Sequence, residues 1–206
     1  TAAAALANTS VLAPVDIILL PEAVFDENAF IEKVKKVLEN KKSTIIAVSE
    51  GIKNKDGKYI GEAESALMQD GFAHAALGGV GQRIAKLISS RLNIKTRSIE
   101  FSTLQRCCSQ NISLSDYEEA FSAGFEGTGF ALDGNTGFMA GFKRNGGDPY
   151  KCDVVCFDVN LIANLEKKIP PEMIAEDGMS VTEDFIGYAL PLIDGEPELQ
   201  YENGVV

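Results

Sequence analysis

The sequence predicts an α/β fold, a three-layer sandwich in which helices cover both faces of a mainly parallel sheet. Two short, continuous apolar runs, VDIILL and TIIAV, are typical of parallel strands that are buried on both faces. A charged stretch with apolar residues at helical spacing separates these runs, and a second amphipathic stretch follows them. Strands and helices that alternate in this order build parallel sheets.

The first predicted elements are a helix, a strand and a second helix. The opening residues TAAAALA have high helix propensity and look like the middle of a helix. Residues 15–20 form the first predicted strand, which Pro21 ends. Asp26 is expected to cap a helix that runs to about Asn40. Its apolar stripe consists of Phe30, Ile31, Val34, Val37 and Leu38.

The second buried strand is predicted over residues 44–48. It ends at Ser49-Glu50-Gly51, and the polar, glycine-containing loop over residues 53–61 is too hydrophilic for the core. A third strand is expected around Ile99 and Phe101, where apolar residues alternate with charged ones.

The glycine-rich stretch LGGVGQ, residues 77–82, begins an amphipathic helix between the second and third strands. Its inward residues are Val80, Ile84, Leu87 and Ile88. A glycine-rich turn into a helix can bind a phosphate or a dinucleotide, but Ile84 replaces the third glycine of that motif and no Lys-Ser/Thr pair follows. Glycines that ease a helix start against a neighbouring backbone explain the stretch better.

The second half of the chain also combines helices with a strand. Ser115 and Glu118 form a capping-box signal for a helix that runs toward Ala123. The remaining predicted elements are a strand over residues 137–142, a helix over residues 159–168, and a last helix that Thr182 caps and Pro191 ends.

The charge balance excludes several classes of partner. With 19 Lys and Arg against 30 Asp and Glu, the 206-residue chain has a net charge of −11. Such a chain does not bind nucleic acid or anionic lipid over a broad surface, so any anion must be held by a local cluster of cations. No apolar run approaches the roughly 20 residues that cross a bilayer, and the opening lacks the basic region of a secretory signal. A cytoplasmic location is therefore expected.

The four cysteines, Cys107, Cys108, Cys152 and Cys156, do not suggest a disulfide framework in a chain of this size. A zinc site is the alternative, but His74 is the only histidine and the cysteine spacing is unlike that of structural zinc sites. Buried, reduced thiols are expected, and no residue is assigned to a metal.

Candidate ligand-binding residues follow the predicted strands. Parallel sheets bind ligands beyond the carboxyl ends of their strands, where Glu50 and Arg106 are both expected. Arg97 and Arg106 flank the third predicted strand in an otherwise acidic chain. The planar guanidinium of arginine suits a phosphate or a carboxylate ligand. Ion pairs with Glu100 or Asp116 are an equal alternative at this point.

Four segments together resemble the later half of the 6-phosphofructokinases. They are VSEGI (48–52), KTRSIEFSTLQR (95–106), the region of Tyr150 and Ala163-Asn164, and PLIDGE (191–196). The sequence is most similar to the bacterial diphosphate-dependent branch, whose members often have the LGGVG helix start. The resemblance implies a phosphofructokinase-like fold and a chain that is a fragment of a two-domain protein. TAAAALA resembles the helix after the family's Met-Gly-Arg motif.

The resemblance also implies a role for each candidate site residue. Glu50 matches the glutamate that binds hydroxyls of fructose 6-phosphate, and Arg106 matches the arginine that holds its 6-phosphate. Arg97 matches an arginine that reaches the pocket of the adjacent subunit, which implies a homodimer or a homotetramer. Thr103 stands where ATP-using bacterial members have a histidine, and it is included among the substrate-binding residues.

The implied reaction is phosphorylation of fructose 6-phosphate to fructose 1,6-bisphosphate in glycolysis, with diphosphate or ATP as donor and Mg²⁺ as cofactor. The family's Gly-Gly-Asp loop for the donor and magnesium, its Thr-Ile-Asp-Asn-Asp motif with the catalytic aspartate, and its Met-Gly-Arg motif are expected upstream of Thr1. Residues 1–106 are expected to bind the sugar phosphate, 107–160 to return to the donor domain, and 161–206 to form C-terminal helices and a tail.

Because those motifs are expected outside the chain, we expect the chain alone to be inactive. Two alternatives remain open. One is a non-catalytic regulatory or assembly module of the same fold, and the other is an unrelated nucleotide- or sugar-binding α/β domain.

Overall fold

The computed structural model describes residues 1–61, 79–146, 149–198 and 200–204, and the chain divides into two compact units. Unit 1 consists of Thr1–Ser102 and Lys168–Tyr188, and unit 2 consists of Thr103–Lys167 and Ala189–Val206. The boundaries that the sequence predicts, after residues 106 and 160, concern parts of a substrate site, and the division into compact units does not test them. The assignment of the three predicted segments to parts of a substrate site stays a prediction.

Unit 1 is built on two parallel strands, β1 (Val15–Leu19) and β2 (Ile45–Val48). Ile17 pairs with Ile46, and Leu19 pairs with Val48. Both strands and their parallel pairing confirm the sequence-based expectation of an α/β fold. Ile45 is an exception to the predicted burial, because 54 % of it is exposed at the start of β2.

Helix α1 (Glu27–Asn40) connects the two strands and begins where the sequence predicted. The Asp26 carboxylate accepts a 2.8 Å hydrogen bond from the Ala29 amide, and this bond satisfies one of the free amides at the helix start. Phe30, Ile31 and Val34 are buried against the strands. The amphipathic pattern therefore gave the correct inward face.

Helix α2 (Val80–Leu92) completes the core of unit 1. Gly79 precedes it in the left-handed conformation with φ of 76°, which glycine adopts without steric cost. Asn93 ends it with φ of 53°. The buried hydrophobic cluster combines α1, α2 and β1 with the loop after β2: Ile17, Leu19, Phe25, Phe30, Ile31, Val34, Ile52, Ile60, Val80, Ile84 and Ile88.

Two predictions for unit 1 were wrong in detail. Ala2–Ala7 form a short 3₁₀ helix and not part of an α-helix. The segment around Ile99 and Phe101 is not a strand, and these two side chains are 78 % and 63 % exposed. A strand needs a hydrogen-bonded neighbour, but within the described parts of the chain β1 and β2 pair only with each other.

Asp16 stabilises the amino-terminal side of the β1–β2 pair, and its side chain is only 7 % exposed. Its carboxylate accepts hydrogen bonds from the Lys41 ammonium at 2.5 Å, the Ile45 amide at 3.0 Å and the Thr44 hydroxyl at 3.1 Å. One carboxylate thus connects β1 to the end of α1 and to the start of β2.

Unit 2 contains a short helix, a long helix and an antiparallel hairpin. They are α3 (Leu104–Cys107), α4 (Leu114–Leu132), β3 (Phe138–Arg144) and β4 (Cys152–Asp158). β3 agrees with the predicted strand. β4 was missed, although CDVVCFD has the alternation of a half-buried strand.

The start and length of α4 differ from the prediction. Ser113, and not Ser115, caps the helix, because its hydroxyl accepts a 3.1 Å hydrogen bond from the Asp116 amide. The helix continues past Ala123 to Leu132 and includes three glycines. One of them, Gly127, has a packing reason: an ideal Cβ there would lie 3.2 Å from the Cβ of Ala140 in β3.

The predicted helix over residues 159–168 is reduced to one turn, α5 (Val159–Ile162). The chain leaves the helix at Ala163, whose ψ of 134° is extended, and Asn164 follows in the left-handed conformation with φ of 60°. Helix α6 (Glu183–Ala189) follows Thr182 as expected, but the Thr182 hydroxyl donates to the Glu172 carbonyl at 3.2 Å. A 3₁₀ helix that contains Pro191 comes next, at Leu190–Ile193.

Two contacts of α4 hold unit 2 together. The Ser113 hydroxyl donates a 2.6 Å hydrogen bond to the Leu192 carbonyl. The Tyr150 hydroxyl donates to the Glu119 carboxylate at 2.5 Å, and the Arg144 guanidinium lies 4.5 Å from the centre of the Tyr150 ring.

Within the described ranges, no helix is both long and apolar enough to cross a membrane.

Candidate functional site

Glu50 lies just beyond the carboxyl end of β2, in a turn that is held against the end of β1. The Ser49 amide donates to the Leu19 carbonyl at 3.0 Å. An ideal Cβ on Gly51 would lie 3.2 Å from the Cβ of Pro21, so glycine allows the two strand ends to approach closely. The Glu50 side chain is exposed and has no hydrogen-bond or ion-pair partner among the described residues. As far as the described residues show, Glu50 is thus an unpaired carboxylate on a fixed turn.

A second carboxylate at this edge of the sheet, Glu22, was missed in the sequence. Its Oε1 accepts a 3.1 Å hydrogen bond from the Ile169 amide, whereas its Oε2 is buried and has no partner among the described residues. The signal was available, because Pro21-Glu22 directly follows β1 as Glu50 follows β2. Burial of an unpaired carboxylate oxygen costs free energy, so Oε2 is a ready acceptor for a hydroxyl or amide donor.

Arg97 lies in an irregular segment that packs along α2. The Thr96 hydroxyl donates to the Ala85 carbonyl at 2.8 Å. The Ser98 Oγ lies only 2.6 Å from the place where a Cβ on Gly81 would be. Gly81 therefore has a structural role, because a larger residue would collide with Ser98. This agrees with the prediction that the glycines ease the start of the helix against a neighbouring backbone. The Arg97 side chain itself is exposed.

Thr103 and Arg106 share one helical turn at the start of unit 2. The Arg106 amide donates to the Thr103 carbonyl at 2.9 Å, and both side chains are exposed. The preceding residue, Ser102, has φ of 44°, a left-handed conformation that costs a residue other than glycine roughly 1–2 kcal/mol. Such conformations cluster at functional sites. Here Ser102 lies directly before Thr103, the residue at the N-cap position of α3.

The ion pairs that were the alternative for the two arginines do not form. Neither Arg97 nor Arg106 has a hydrogen-bond or ion-pair partner for its guanidinium in the part of the chain that the structure describes. Glu100 and Asp116, the expected partners, form no ion pair there either. The described part of the chain therefore leaves both guanidinium groups without a partner, in a sequence with an excess of carboxylates.

The four candidate residues divide between the two units. Glu50 and Arg97 belong to unit 1, and no contact joins their side chains within the described ranges. Thr103 and Arg106 belong to unit 2, where a single helical turn brings them together. Each unit thus contributes one of the two candidate arginines, which have no partner among the described residues, and unit 1 adds the carboxylate of Glu50.

All four cysteines are free thiols, but the prediction that they are buried was wrong. Cys107 and Cys156 are exposed, and Cys108 and Cys152 are half-buried, because all four lie in a unit with hardly any core. No group of three or more His, Cys, Asp or Glu residues within the described ranges could hold a metal ion. His74, the suggested helper of a zinc site, lies outside the described residues.

The tripeptide Gly-Gly-Asp, which we expected only upstream of Thr1, does occur once in the chain, at residues 146–148. It connects the antiparallel strands β3 and β4, and residues 147 and 148 lie outside the described ranges. The Thr-Ile-Asp-Asn-Asp and Met-Gly-Arg motifs do not occur in the sequence.

Comparison with known proteins gives one consistent result. The sequence profile of the family described as Phosphofructokinase matches residues 1–116. The pyrophosphate–fructose 6-phosphate 1-phosphotransferase of Methylococcus capsulatus is 36 % identical over 189 residues, which are 92 % of this chain and 44 % of that protein. The protein of the same name from Xanthomonas campestris pv. campestris is 36 % identical over 200 residues, 97 % of this chain and 47 % of that protein.

Solved structures agree with the sequence relatives. The crystal structure of a pyrophosphate-dependent phosphofructokinase from Nitrosospira multiformis superimposes with a TM-score of 0.81 at 29 % identity. The superimposed region covers 99 % of this chain and 47 % of the Nitrosospira multiformis chain. The chain therefore spans a little less than half the length of these relatives.

Proposed function

The chain belongs to the phosphofructokinase family, and from this membership we propose that it supplies sugar-phosphate-binding residues to an enzyme that phosphorylates fructose 6-phosphate. The product is fructose 1,6-bisphosphate, diphosphate is the donor, and the step belongs to glycolysis in the cytoplasm. The assignment of diphosphate is supported by the names of the relatives with which the chain shares most of its length.

The observation that carries the proposal is the unpaired state of Arg97 and Arg106. The chain has 30 acidic and 19 basic residues, yet no described carboxylate pairs with either guanidinium, and the ion pairs among the described residues are all made by lysines. An unpaired guanidinium can donate two parallel hydrogen bonds to a phosphate without first breaking an internal ion pair. The two arginines are therefore available for the phosphate of a sugar phosphate.

Glu50 complements the arginines in this proposal. An ionised carboxylate only accepts hydrogen bonds, so it suits the hydroxyl groups of a sugar and repels a phosphate. The turn that carries Glu50 is fixed by the Ser49–Leu19 hydrogen bond and by the contact of Gly51 with Pro21, which limits the entropy lost on binding. Thr103 contributes a hydroxyl one helical turn before Arg106.

In the proposed reaction these residues bind and orient the acceptor. Holding the sugar phosphate fixed keeps its 1-hydroxyl in line with the phosphoryl group, and such positioning supplies much of the rate enhancement in phosphoryl transfer. Mg²⁺, when bound, would neutralise charge on the transferred group. We assign no described residue of this chain to Mg²⁺ binding. Arg97 serves a neighbouring subunit in this scheme, so the enzyme acts as a homodimer or a homotetramer.

Ligand-observed NMR on the chain tests the sugar-phosphate part of the proposal. Fructose 6-phosphate should show saturation transfer, and fructose without the phosphate should not. Arg106→Ala should abolish the signal, and Arg91→Ala is the matched control, because Arg91 already donates to the Asn28 side chain at 2.9 Å. Transfer that is equal for both sugars, or that survives Arg106→Ala, would rule out Arg106 as the phosphate ligand.

A further inference from the structure

Cys107 and Cys108 are adjacent thiols at the end of α3, and the proposed function uses neither of them. Cys107 is the last residue of the helix and is exposed, whereas Cys108 follows the helix and is half-buried. Both thiols are free. Because the chain already holds the second thiol beside the first, the two can react with one oxidant molecule at little cost in loop-closure entropy.

The 3₁₀ turn after α3, Ser109–Asn111, holds the Cys108 sulfur in place. The Asn111 side-chain amide donates to the Cys108 Sγ at 3.1 Å. The Cys108 thiol donates to the Gln110 side-chain oxygen at 3.6 Å. A reagent from solvent therefore reaches Cys107 first, and Cys108 is positioned to react with the product.

The other two cysteines do not form such a pair. Cys152 and Cys156 both lie in β4, and at the rise of a strand their Cα atoms are about 13 Å apart. A disulfide requires Cα atoms within about 7 Å of each other. Cys152 and Cys156 therefore provide an internal comparison, because they are thiols of the same unit that cannot join to each other within the folded strand.

A bond between the two adjacent sulfurs would alter the turn that carries Arg106. Helix α3 ends at Cys107, and Arg106 is the residue before it. The disulfide closes a small ring that includes the peptide bond between Cys107 and Cys108. The Cα atoms across a trans peptide are about 3.8 Å apart, which is less than the roughly 4.4–6.8 Å that is usual in disulfides. The backbone must therefore change at the end of α3 when the ring forms.

We propose that Cys107 and Cys108 form a reversible oxidation site, at which a hydroperoxide converts the two thiols into a disulfide and thereby moves Arg106 out of its phosphate-binding position. The oxidation depends only on the two thiols. Its effect on the binding of a sugar phosphate rests on the proposed function of Arg106. The site thus adds redox control to the turn that begins at Thr103.

Two steps account for the atoms and electrons when hydrogen peroxide is the oxidant. The Cys107 thiolate attacks one peroxide oxygen, so that the O–O bond breaks and the S–O bond of a sulfenic acid forms. The departing hydroxide takes up the proton that the thiol lost and becomes water. The Cys108 sulfur then attacks the Cys107 sulfur, and the S–O bond breaks. The hydroxyl leaves with the Cys108 proton as a second water, so two thiols are oxidised and one peroxide is reduced.

The geometry of the ring also makes the oxidation reversible. A disulfide with unfavourable geometry is more easily reduced, and strained or exposed disulfides are the labile and regulatory ones. A dithiol reductant such as dithiothreitol attacks one sulfur, returns both cysteines to thiols and is itself oxidised to a disulfide. The pair therefore suits a switch and not a permanent cross-link.

Peptide mapping by mass spectrometry tests the oxidation on the 206-residue chain. The chain is treated with hydrogen peroxide, free thiols are alkylated, and trypsin leaves residues 107–143 and 152–167 as separate peptides. The first peptide should lose the mass of two hydrogen atoms and take up no alkylating agent. The second should be alkylated at both thiols. Dithiothreitol before alkylation should restore both labels on the first peptide.

Cys107→Ser and Cys108→Ser should each abolish this mass loss. Cys156→Ser is the matched control, because Cys156 is also an exposed thiol of unit 2, and it should leave the mass loss unchanged. A disulfide from Cys107 or Cys108 to Cys152, to Cys156 or to a second chain would overturn the proposal. Irreversible oxidation of Cys107 while Cys108 stays a free thiol would overturn it as well.

Ligand-observed NMR with fructose 6-phosphate tests the effect on Arg106. The reduced chain should show saturation transfer, the oxidised chain should lose it, and dithiothreitol should restore it. Cys107→Ser should retain the transfer after the peroxide treatment. Transfer that persists in a chain whose mapped disulfide is complete would overturn the link between the dithiol and Arg106.

A reduced chain without any transfer would reject the proposed function, and the amide resonances of α3 then decide on the dithiol. The amide signals of Arg106 and Cys107 should shift on oxidation and return on reduction. The amide signals of α1 are the control and should stay unchanged. Signals of Arg106 that do not shift in the fully oxidised chain would overturn its displacement.

Discussion

The Thr96 hydroxyl donates a 2.8 Å hydrogen bond to the Ala85 carbonyl, and this bond fastens the segment that carries Arg97 to the middle of α2. Two residues further on, the Ser98 Oγ fills the space that a side chain on Gly81 would need. Arg97 is therefore held between two contacts with one helix, although its own side chain is exposed. An exposed cation on a fixed backbone is suited to bind an anion from outside the unit.

Thr96→Val should loosen this segment, because valine keeps the shape of threonine and removes the donor. The free energy of unfolding, measured by urea denaturation, should fall by about 0.5–1.5 kcal/mol. Amide exchange over residues 95–99 should become faster. Thr96→Ser retains the hydroxyl and should preserve most of the stability. Equal stability of the valine variant and the unmodified chain would show that the bond does not fasten the segment.

Arg106→Ala should weaken the binding of fructose 6-phosphate in the enzyme that we propose. Loss of a charge-assisted contact worth about 1.5–3 kcal/mol corresponds to roughly 10- to 150-fold in the apparent KM for this substrate. The KM for diphosphate should change little. Arg106→Lys should restore only part of the affinity, since an ammonium cannot make the two-pronged contact. A variant that impairs both substrates equally would indicate a structural role for Arg106.

Asp16→Asn should destabilise unit 1 in a pH-dependent way. Burial by itself would raise the pKa of the Asp16 carboxyl, but hydrogen bonds from Lys41, the Ile45 amide and Thr44, with the charge of Lys41, outweigh burial and hold the pKa below its usual 3.8. A depressed carboxyl pKa means that the stabilisation is fully present above 3.8 and is lost as the pH falls through the folded-state value.

Urea denaturation of Asp16→Asn and of the unmodified chain measures this effect. At pH 7 the variant should be less stable by about 1.5–3 kcal/mol, the range for hydrogen bonds to charged groups. The difference should shrink as the pH is lowered below 3.8. Glu32→Gln is the matched control, because its pair with Lys35 is exposed to solvent and should contribute little. A difference that stays constant from pH 7 to strongly acidic pH would contradict the assigned cause.

The sequence predicted unit 1 better than unit 2, for a physical reason. The buried strands and the inward faces of α1 and α2 follow from local patterns, because their apolar residues are buried within unit 1 itself. The segment with Ile99 and Phe101 has a strand pattern but no neighbouring strand within the described ranges, and pattern alone cannot reveal this. β4 was overlooked although its alternation was readable.

The candidate site could be predicted only in part. The position of Glu50 follows from the end of β2, and Arg97 and Arg106 stood out because they flank a predicted strand in an acidic chain. The resemblance then implied a role for each of them. The free state of the two guanidinium groups depends on long-range geometry, so the sequence left ion pairs as an equal alternative. Glu22 was missed although its place after β1 was readable, whereas its hydrogen bond from the Ile169 amide depends on a residue far away in the sequence.

The 206-residue chain alone should not catalyse phosphoryl transfer. Catalysis in this family requires donor, metal and acceptor in one fixed geometry, and such positioning accounts for about 7–11 kcal/mol of the barrier. The Thr-Ile-Asp-Asn-Asp motif, in which the resemblance places the catalytic aspartate, does not occur in the chain. A coupled assay with fructose 6-phosphate, Mg²⁺ and either diphosphate or ATP measures the activity, with the intact Methylococcus capsulatus relative as positive control. The sugar-phosphate binding that we propose for Arg106 can persist without turnover, because binding and transfer would use different groups. A turnover above about 1 s⁻¹, an ordinary rate for an enzyme, would place the catalytic residues within this chain and overturn the assignment of its parts.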